Sequence, residues 1–511
     1  MKKLTLLLSA LLVCAFNFSQ NTEIEYPFAE PGSKVSRGVF GKDGRVEVKD
    51  AEGYEDFVRA TAVMISKQNI YEDEFYSWSL REKLTRQFGT SNFADDVRFL
   101  DQPAIGSCTG FLIAPDILVT AGHCINSMED ANQFVWVFDY TSESEFVNNR
   151  KLQFKKENIF EVESIITSEY IENTSDDDYA VLRLKRKSDR APYRFRTSGK
   201  VLEGGAINTI GCPTGLPLKF ATDAVVIDNS PSKWFKSDID SFPGNSGGPV
   251  FDQNGFIEGI LVRGAVKYSS AGYTGDYIYD ASCNCVKTVQ WDQVKYTAGC
   301  QSHKITAVPS HALITAVYEN IEYAIENNLS DRFDSWSIYQ WIFNGKYNTS
   351  APRLEKVALK NNNLDALGKI LKVSAEKDIS DDLARELLDM AYSSRNIKAI
   401  ELLLSNDILA DAGINASQTL LQRAVSNDRY EIAAILIANG ADTSVKDSYG
   451  NTLLHEAART GNYNLCKLLI DNGLYAGAKN NDGKRPEIIA KKAGYKSLRK
   501  YLKKQRKKKR R

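Results

Sequence analysis

The last third of the chain contains a repeat that leaves few folds open to it. An apolar residue with an alanine four positions after it recurs every 33 residues. The repeated sets are Leu354 with Ala358, Leu387 with Ala391, Leu420 with Ala424, Leu453 with Ala457 and Pro486 with Ala490. One short unit cannot bury its apolar face alone, so units of this length stack as helix pairs and need at least about three copies. The repeat predicts an all-α solenoid of about five units over residues 351–502.

Residues 38–300 have a different pattern, that of many short strands. Runs rich in Val, Ile, Tyr and Phe, such as residues 110–113 and 256–262, are separated by Gly, Pro, Asn and Asp. This arrangement is typical of an all-β barrel or sandwich. Residues 71–101 interrupt it and have a charged, helical character. Helical spacing resumes after residue 305, so residues 301–350 are assigned to a helical connector or cap.

The N-terminus has the features of an export signal. A basic start is followed by an apolar run over residues 4–18 that is too short for a typical spanning helix. We expect a signal peptide over residues 1–19, then a pro-segment or disordered lead over residues 20–37 with a candidate processing site at Arg37. Cys14 invites a lipoprotein alternative, but no small residue precedes it. The chain is therefore predicted to be secreted or periplasmic, without a transmembrane segment.

The charge of the chain is balanced overall but uneven. The formal net charge is zero, yet eight of the nine residues 503–511 are Lys or Arg. Such a basic tail is attracted to nucleic acid or to an anionic surface, although a solvated end is the simpler interpretation. The sequence contains no motif for a metal, a nucleotide or another cofactor, and we expect none.

Three short segments carry the chemistry of the strand-rich region. Residues 120–124, 178–182 and 244–249 supply His123, Asp178 and Ser246 in that order, and His123 is the only histidine before position 303. A serine that attacks a carbonyl needs an imidazole to take its proton and a carboxylate to orient that imidazole. These three residues are assigned those roles. Asp176 and Asp177 remain alternatives for the carboxylate.

These segments, with residues 210–217 and 259–264, resemble the chymotrypsin/trypsin-like serine peptidases, near the bacterial glutamyl endopeptidases. The resemblance implies a double β-barrel with the triad between the barrels. It also implies that the amides of Gly244 and Ser246 bind the oxyanion and that Val262 and Gly264 pair with the substrate backbone. Residues 451–458 of the solenoid resemble the ankyrin consensus. An ankyrin stack implies a docking site for a partner protein.

Two departures from the peptidase pattern bear on activation and specificity. Asn245 replaces the aspartate that a freed N-terminus activates in trypsin-type enzymes, so that switch is expected to be absent. Asp240 lies six residues before Ser246, where trypsin-like enzymes bind Lys or Arg, and Ser241 lines the same pocket. Leu261 stands where the glutamyl endopeptidases have a histidine. The pocket is thus predicted to favour Lys or Arg, unless Asp240 only caps a turn.

Export permits disulfides, and the cysteine positions suggest how they form. Cys108 and Cys124 flank two strands joined by a turn, which brings them together. Cys283 and Cys285 are expected to be too close to pair with each other. Cys212 and Cys300 are their expected partners, in either combination. In the repeats, Cys466 is expected to be a buried free thiol and His455 to hydrogen-bond its own turn.

The sequence thus predicts an exported serine endopeptidase with a C-terminal ankyrin module that docks a partner or substrate. One alternative is an inactive protease-fold protein that binds through its repeats. Another is a peptidase that acts only on a partner held by the repeats. The sequence does not identify the natural substrate, the ankyrin partner or the oligomeric state.

Overall fold

Strands and helices segregate along the chain into two units, Met1–Asn320 and Ile321–Arg511. The computed structural model describes residues 43–148, 150–171, 176–196, 199–264, 267–269, 272–274, 277–289, 299–330, 353–374, 379–406, 408–411 and 418–508. The predicted signal peptide and pro-segment, Cys14 and the site at Arg37 therefore lie outside the described residues. Residues 331–350 of the predicted connector, residues 351–352 of the predicted repeats and residues 509–511 of the tail do so too.

The first unit consists mainly of strands. Its strands are β1 (Val46–Glu47), β2 (Thr61–Ser66), β3 (Ile70–Tyr71), β4 (Glu74–Tyr76), β5 (Cys108–Ala114), β6 (Ile117–Thr120), β7 (Phe134–Phe138), β8 (Lys151–Leu152), β9 (Ile159–Phe160), β10 (Val162–Tyr170), β11 (Asp178–Leu184), β12 (Arg194–Phe195), β13 (Ala206–Gly211), β14 (Lys219–Asp228), β15 (Trp234–Ser237), β16 (Pro249–Asp252), β17 (Phe256–Arg263), β18 (Lys267–Ser269), β19 (Gly272–Thr274), β20 (Tyr277–Asp280), β21 (Cys285–Thr288) and β22 (Cys300–Lys304). Its helices are α1 (Glu55–Arg59), α2 (Leu80–Phe88), α3 (Met128–Asn132) and α4 (Ser310–Glu326), the last of which crosses the boundary between the units.

Seven strands form the first barrel, in the order β10-β11-β6-β5-β2-β7-β9, and all its pairs are antiparallel. Only Glu161 separates β9 from β10, so the two ends of this sheet meet in one continuous stretch of chain. Val63, Phe111, Leu118 and Val181, on four of its strands, are fully buried. The strands are rich in β-branched and aromatic residues, which pack well on a pleated surface.

A second barrel is closed by hydrogen bonds. The cycle runs β14-β13-β16-β17-β22-β15 and returns to β14, while β1 and β12 attach to β14 and β17. Ile207, Val226, Phe235, Val250 and Leu261 form part of its buried core. Closure removes the exposed edges that an open sheet would present. The predicted all-β double barrel is confirmed.

The insertion between β2 and β5 includes a helix that packs against residues of the second barrel. It contains the β3–β4 hairpin and α2, a helix that begins with a capping box between Ser79 and Glu82. Leu80 and Leu84 of this helix belong to one buried cluster with Phe242 and Tyr277. The predicted helix within residues 71–101 is thus present as α2, and it packs against Phe242 in the segment that leads to Ser246.

The first part of α4 is fixed to the first barrel by polar contacts. Asn320 Nδ2 donates to the carbonyl oxygens of Ile113 (2.8 Å) and Tyr193 (3.2 Å). Arg183 bridges two carboxylates, Asp116 at 2.9 Å and Glu319 at 3.1 Å. Burial, reinforced by the neighbouring Asp116, raises the pKa of Glu319 to about 7 despite Arg183.

The described part of the second unit consists of helix pairs. They are α5 (Leu354–Lys360) with α6 (Leu364–Ser374), α7 (Asp381–Ser393) with α8 (Ile397–Leu404), α9 (Leu420–Ser426) with α10 (Tyr430–Ala438), α11 (Leu453–Thr460) with α12 (Tyr463–Asp471), and α13 (Pro486–Lys492) with α14 (Lys496–Lys508). The second helix of each pair begins 33 residues after that of the pair before. The alanine of each repeated set is fully buried, which lets neighbouring helices approach closely. The predicted solenoid is confirmed.

Hydrogen bonds link one repeat to the next. His455 Nδ1 accepts from Thr452, while Nε2 lies 3.0 Å from the carbonyl oxygen of Lys484 in the following repeat and donates to it. His455 thus stabilises its own turn, as the sequence predicts, and also the adjacent repeat. Cys466 is a buried free thiol, again as predicted.

The basic tail continues the last repeat as a helix through Lys508. Leu498 and Leu502 of α14 are buried, whereas most of its lysines are exposed. Arg506 pairs with Glu487 at 3.2 Å. Among the described residues, no helix combines the length and apolar character needed to cross a bilayer.

Candidate active site

His123 follows β6 in a tight turn that two features hold in place. The neighbouring Cys124 forms the predicted disulfide with Cys108 on β5, with 6.4 Å between the Cα atoms. Gly122 lies so close to β10 that a Cβ would collide with the carbonyl oxygen of Glu169. The imidazole is partly exposed, and its closest ring neighbour among the described aromatics is Tyr170, at 5.7 Å.

Asp178, the first residue of β11, is the carboxylate that the structure brings to His123. Its Oδ2 lies 2.9 Å from His123 Nδ1, and its Oδ1 accepts from the His123 main-chain N–H at 3.0 Å. Asp178 is almost completely buried. A carboxylate acceptor requires the proton on Nδ1, which leaves the Nε2 lone pair free to accept a proton.

Asp177, the neighbouring alternative, takes part in a separate cluster. Its carboxylate binds Lys233 Nζ and lies 3.3 Å from His303 Nε2 on β22. Burial alone would raise the pKa of Asp177, but the hydrogen bonds from Lys233 and His303 lower it. Burial lowers the pKa of His303 despite Asp177. The two adjacent aspartates therefore have different partners, and Asp178 is the one that contacts His123.

Ser246 lies in a turn of residues 242–248, named here the serine turn, whose carbonyl groups are anchored. The carbonyl oxygen of Pro243 accepts from the Thr214 N–H at 2.5 Å. That of Gly244 accepts from Thr109 Oγ1 at 2.8 Å, and that of Ser246 from the Thr109 N–H, also at 2.8 Å. The peptide planes of the turn are thus fixed on their carbonyl sides.

The N–H groups of the serine turn divide into two sets. Asn245, Gly247 and Gly248 donate to carbonyl oxygens at 2.7 to 3.0 Å. Within the described part of the chain, the N–H groups of Gly244 and Ser246 donate no hydrogen bond. Gly244 has a φ of +100°, a conformation that favours glycine. Two unused donors on a fixed turn are suited to bind a developing oxyanion.

The nucleophile and base are not yet hydrogen-bonded. Ser246 is half-buried, and its carbonyl oxygen lies 3.7 Å from Cys124 Sγ, beside His123. Over the described residues, no hydrogen bond joins Ser246 Oγ to the imidazole. Such contacts are often loose without substrate and tighten in the reacting complex.

The four predicted substrate-binding residues lie around the serine turn. Asp240 is buried and Ser241 half-buried, both just before the turn. Val262 lies at a shift in the register between β17 and β22. On either side of it, Leu261 pairs with Ser302 and Arg263 pairs with Gln301. Gly264 follows β17, and a Cβ there would lie 3.6 Å from Ser241 Oγ.

Sequence reasoning gave no role to Arg45, which is buried near Asp240. Its guanidinium forms two hydrogen bonds with Asp43 (2.7 and 2.9 Å) and lies 3.7 Å from the centre of the Phe242 ring. Burial by itself would lower the pKa of Arg45, but Asp43, Tyr277 and Asp240 raise it above its ordinary value. Asp43 lies only two residues away, but nothing local in the sequence marks the burial of this arginine, because Phe242, Asp240 and Tyr277 are distant along the chain.

The predicted pairing of the other cysteines is wrong. Cys283 and Cys285 form a disulfide with each other at the tip of the β20–β21 hairpin. Asn284 between them has a φ of +51°, which bends the chain enough to bring both sulfur atoms together. Cys212 and Cys300 are buried in the second barrel, and neither is paired with Cys283 or Cys285.

Comparison with known families agrees with this geometry. Residues 108–260, which include His123, Asp178 and Ser246, match the family model of the trypsin-like peptidase domain. Residues 356–447 and 421–511 match the model of ankyrin repeats in three copies. No curated protein matches the chain. The chain therefore contains a trypsin-like peptidase domain followed by ankyrin repeats.

Proposed function

We propose that the chain is a serine endopeptidase whose ankyrin repeats dock a partner or substrate. The observation that carries the proposal is the serine turn, where only Gly244 and Ser246 among residues 244–248 leave their N–H groups unused within the described residues. The Asp178–His123 pair adds a base held in the required tautomer. Together they supply the parts that acyl transfer needs.

In the proposed mechanism, His123 Nε2 takes the hydroxyl proton of Ser246 as Oγ attacks the peptide carbonyl. The negative oxygen of the tetrahedral intermediate accepts from the two free N–H groups of the turn. Asp178 stabilises the imidazolium. The C–N bond then breaks, His123 gives its proton to the leaving amine, and an acyl-enzyme remains. Water, activated by the same imidazole, hydrolyses that ester and restores Ser246.

We further propose that Asp240 and Ser241 line the pocket for the side chain that precedes the cleaved bond, with a preference for Lys or Arg. Arg45 tempers this preference, because its positive charge lies close enough to interact with Asp240. We therefore expect selectivity for basic residues that is weaker than an isolated buried aspartate would give. Val262 and Gly264 would pair with the substrate main chain as an added strand.

Export as a secreted or periplasmic protein remains part of the proposal and rests on the sequence of residues 1–19. Ankyrin stacks bind protein partners, which supports a docking role for residues 351–502. The exposed lysines of α14 are proposed to contact an anionic surface. Leu498 and Leu502 are buried within the repeat and so cannot insert into a bilayer. The proposed contact would therefore be electrostatic, through the lysines alone.

An inactive protease-fold protein that binds through its repeats is the alternative. The observation in its favour is that, in the described residues, Ser246 forms no hydrogen bond with His123. The complete His123–Asp178–Ser246 set favours the enzyme, because an inactive homologue has no need to keep it.

The deciding experiment treats the full-length chain and a Ser246→Ala control with a fluorophosphonate probe and then with a mixed peptide library. Labelling and cleavage that the control lacks would establish the enzyme. Cleavage after residues other than Lys or Arg would retain the enzyme and reject the role of Asp240. Folded protein that neither reacts nor cleaves would favour the binding protein. Labelling with very weak cleavage of free peptides would point to a substrate held by the repeats.

A further inference from the structure

A single residue of the first barrel anchors the serine turn at two points. Thr109 on β5 is fully buried and follows the disulfide-bonded Cys108. Its N–H donates to the Ser246 carbonyl oxygen at 2.8 Å, and its Oγ1 donates to the Gly244 carbonyl oxygen at 2.8 Å. The two anchored residues are those whose own N–H groups are free for an oxyanion.

Cys212 directs the Thr109 hydroxyl toward Gly244. The Cys212 N–H donates to Thr109 Oγ1 at 3.1 Å, which occupies a lone pair and leaves the hydroxyl proton to be donated. The Gly244 carbonyl, at 2.8 Å, is a closer acceptor for that proton than Cys212 Sγ, at 3.4 Å. Burial raises the pKa of the Cys212 thiol to about 12, so it stays protonated. Its sulfur lies 3.1 Å from the same Gly244 carbonyl and can donate to it as well.

The contacts with Thr109 matter because a glycine such as Gly244 restricts its own φ and ψ rotation very little. Gly244 has a φ of +100° and no side chain, so only contacts with its neighbours fix its peptide groups. The peptide between Gly244 and Asn245 is held on one side by Thr109 and on the other by the Asn245 N–H, which donates to Phe242 at 3.0 Å. The Gly244 N–H belongs to the preceding peptide, and the two peptides share the Gly244 Cα. Loss of the first contact would let the Gly244–Asn245 peptide turn and shift this Cα, which would move the Gly244 N–H away from the oxyanion. Catalysis by such donors depends on their fixed position.

We propose that Thr109 is a positioning residue for the oxyanion-binding N–H groups, supported by Cys212. It touches neither substrate nor the reacting atoms and acts through Gly244 and Ser246. The inference rests on the proposed endopeptidase function.

The test compares three variants of the full-length chain. Thr109→Val removes the hydroxyl and keeps the shape, and Thr109→Ser restores the hydroxyl. Thr209→Val is the matched control, because Thr209 is equally buried and its Oγ1 donates to the Pro249 carbonyl at 2.8 Å, outside the serine turn. We expect kcat of Thr109→Val to fall about tenfold to a hundredfold with KM nearly unchanged, less than the ~10²- to 10³-fold loss when a donor is removed outright. Thr109→Ser should recover most of kcat, and Thr209→Val should retain it.

Hydrogen–deuterium exchange gives a readout that does not depend on activity. In Thr109→Val, the bonded N–H groups of Asn245, Gly247 and Gly248 should exchange faster than in Thr109→Ser or Thr209→Val. If Thr109→Val does not fold, Cys212→Ala should show a smaller change in the same direction.

Unchanged kcat and exchange in Thr109→Val would overturn the inference. So would an equal loss in Thr209→Val, which would indicate a purely structural role. If the wild-type chain proves inactive, the proposed endopeptidase function fails, and the exchange data alone still decide whether Thr109 fixes the turn.

Discussion

Asp178 holds His123 through two separate groups, since its carboxylate accepts from the imidazole Nδ1 at 2.9 Å and from the main-chain N–H at 3.0 Å. The backbone contact fixes where the residue lies, and the imidazole contact fixes its tautomer. An asparagine at position 178 should therefore still hold the His123 main chain in place better than an alanine would. It should nevertheless lose control of the imidazole tautomer.

Asp178→Asn is accordingly expected to lower kcat by about 10⁴-fold, because an amide NH₂ that faces Nδ1 favours the wrong tautomer. Steady-state hydrolysis of a peptide cleaved by the wild-type protein would measure the change. Asp177→Asn is the adjacent control and should keep kcat within a few fold while it lowers the melting temperature, since it weakens the contacts with Lys233 and His303. Equal losses of kcat in both variants would contradict the assignment of Asp178.

Glu319 should make the stability of the first unit depend on pH. Its pKa is about 7 in the folded chain against 4.5 ordinarily, so the folded state binds more protons than the unfolded state between these values. The stabilisation is fully present below about pH 4.5 and is lost as the pH rises through 7, by about 3 kcal/mol. Between pH 4.5 and 8, the melting temperature of Glu319→Gln should therefore fall less with rising pH than that of the wild-type chain. A steeper fall in that variant would show the sign to be wrong.

The two disulfides should differ in their contribution to stability. The chain-entropy model gives about 3 kcal/mol for a loop of about 15 residues, close to that between Cys108 and Cys124, and about half as much for the short loop between Cys283 and Cys285. Replacement of each pair by alanine, followed by denaturant unfolding, would test this order. Loss of the first pair should also reduce activity, because Cys124 adjoins His123.

Asp240→Asn should reduce kcat/KM for substrates with Lys or Arg before the cleaved bond by about tenfold to a hundredfold, and it should spare substrates with a neutral residue there. The effect is moderate because Arg45 already offsets part of the charge of Asp240. Asp238→Asn is the control, since Asp238 accepts from the Val225 N–H at 2.6 Å on β14. Equal selectivity in the wild type and Asp240→Asn would remove Asp240 from the pocket.

The lysines of α14 should bind anionic vesicles in a salt-dependent manner. Each lysine near such a surface contributes about 1 kcal/mol, so joint replacement of Lys500, Lys504 and Lys507 by Glu should weaken binding to phosphatidylglycerol vesicles about a hundredfold or more at low salt. Sedimentation with the vesicles would measure the change. The control replaces three exposed lysines of other repeats, Lys360, Lys398 and Lys467. Equal loss of binding in both triple variants would show that the lysines of α14 contribute no more to vesicle binding than lysines elsewhere on the repeats.

Local motifs predicted the elements whose signals lie close together in the sequence. The 33-residue spacing indicates the helix pairs because each repeated alanine must be buried at the same place in every unit. The spacing of Cys108 and Cys124 likewise reflects two short strands joined by a turn. These signals need no knowledge of distant contacts.

The features that the sequence did not predict depend on distant or unusual contacts. Thr109 of the first barrel meets Gly244 of the second only when the two barrels come together. Within the second barrel, Cys212 meets Gly244 and Arg45 meets Asp240 across long separations in sequence. The Cys283–Cys285 disulfide escaped prediction because it requires a left-handed backbone at Asn284, which an asparagine tolerates better than most residues.

The constant offset between equivalent helices has an evolutionary consequence. Because each second helix begins 33 residues after the last, a duplication or deletion of one repeat would leave every remaining helix in its place in the pattern. The extent of the repeat surface can therefore change in discrete steps, each adding or removing one layer. Selection for a longer or shorter partner would then need no redesign of the layers already present.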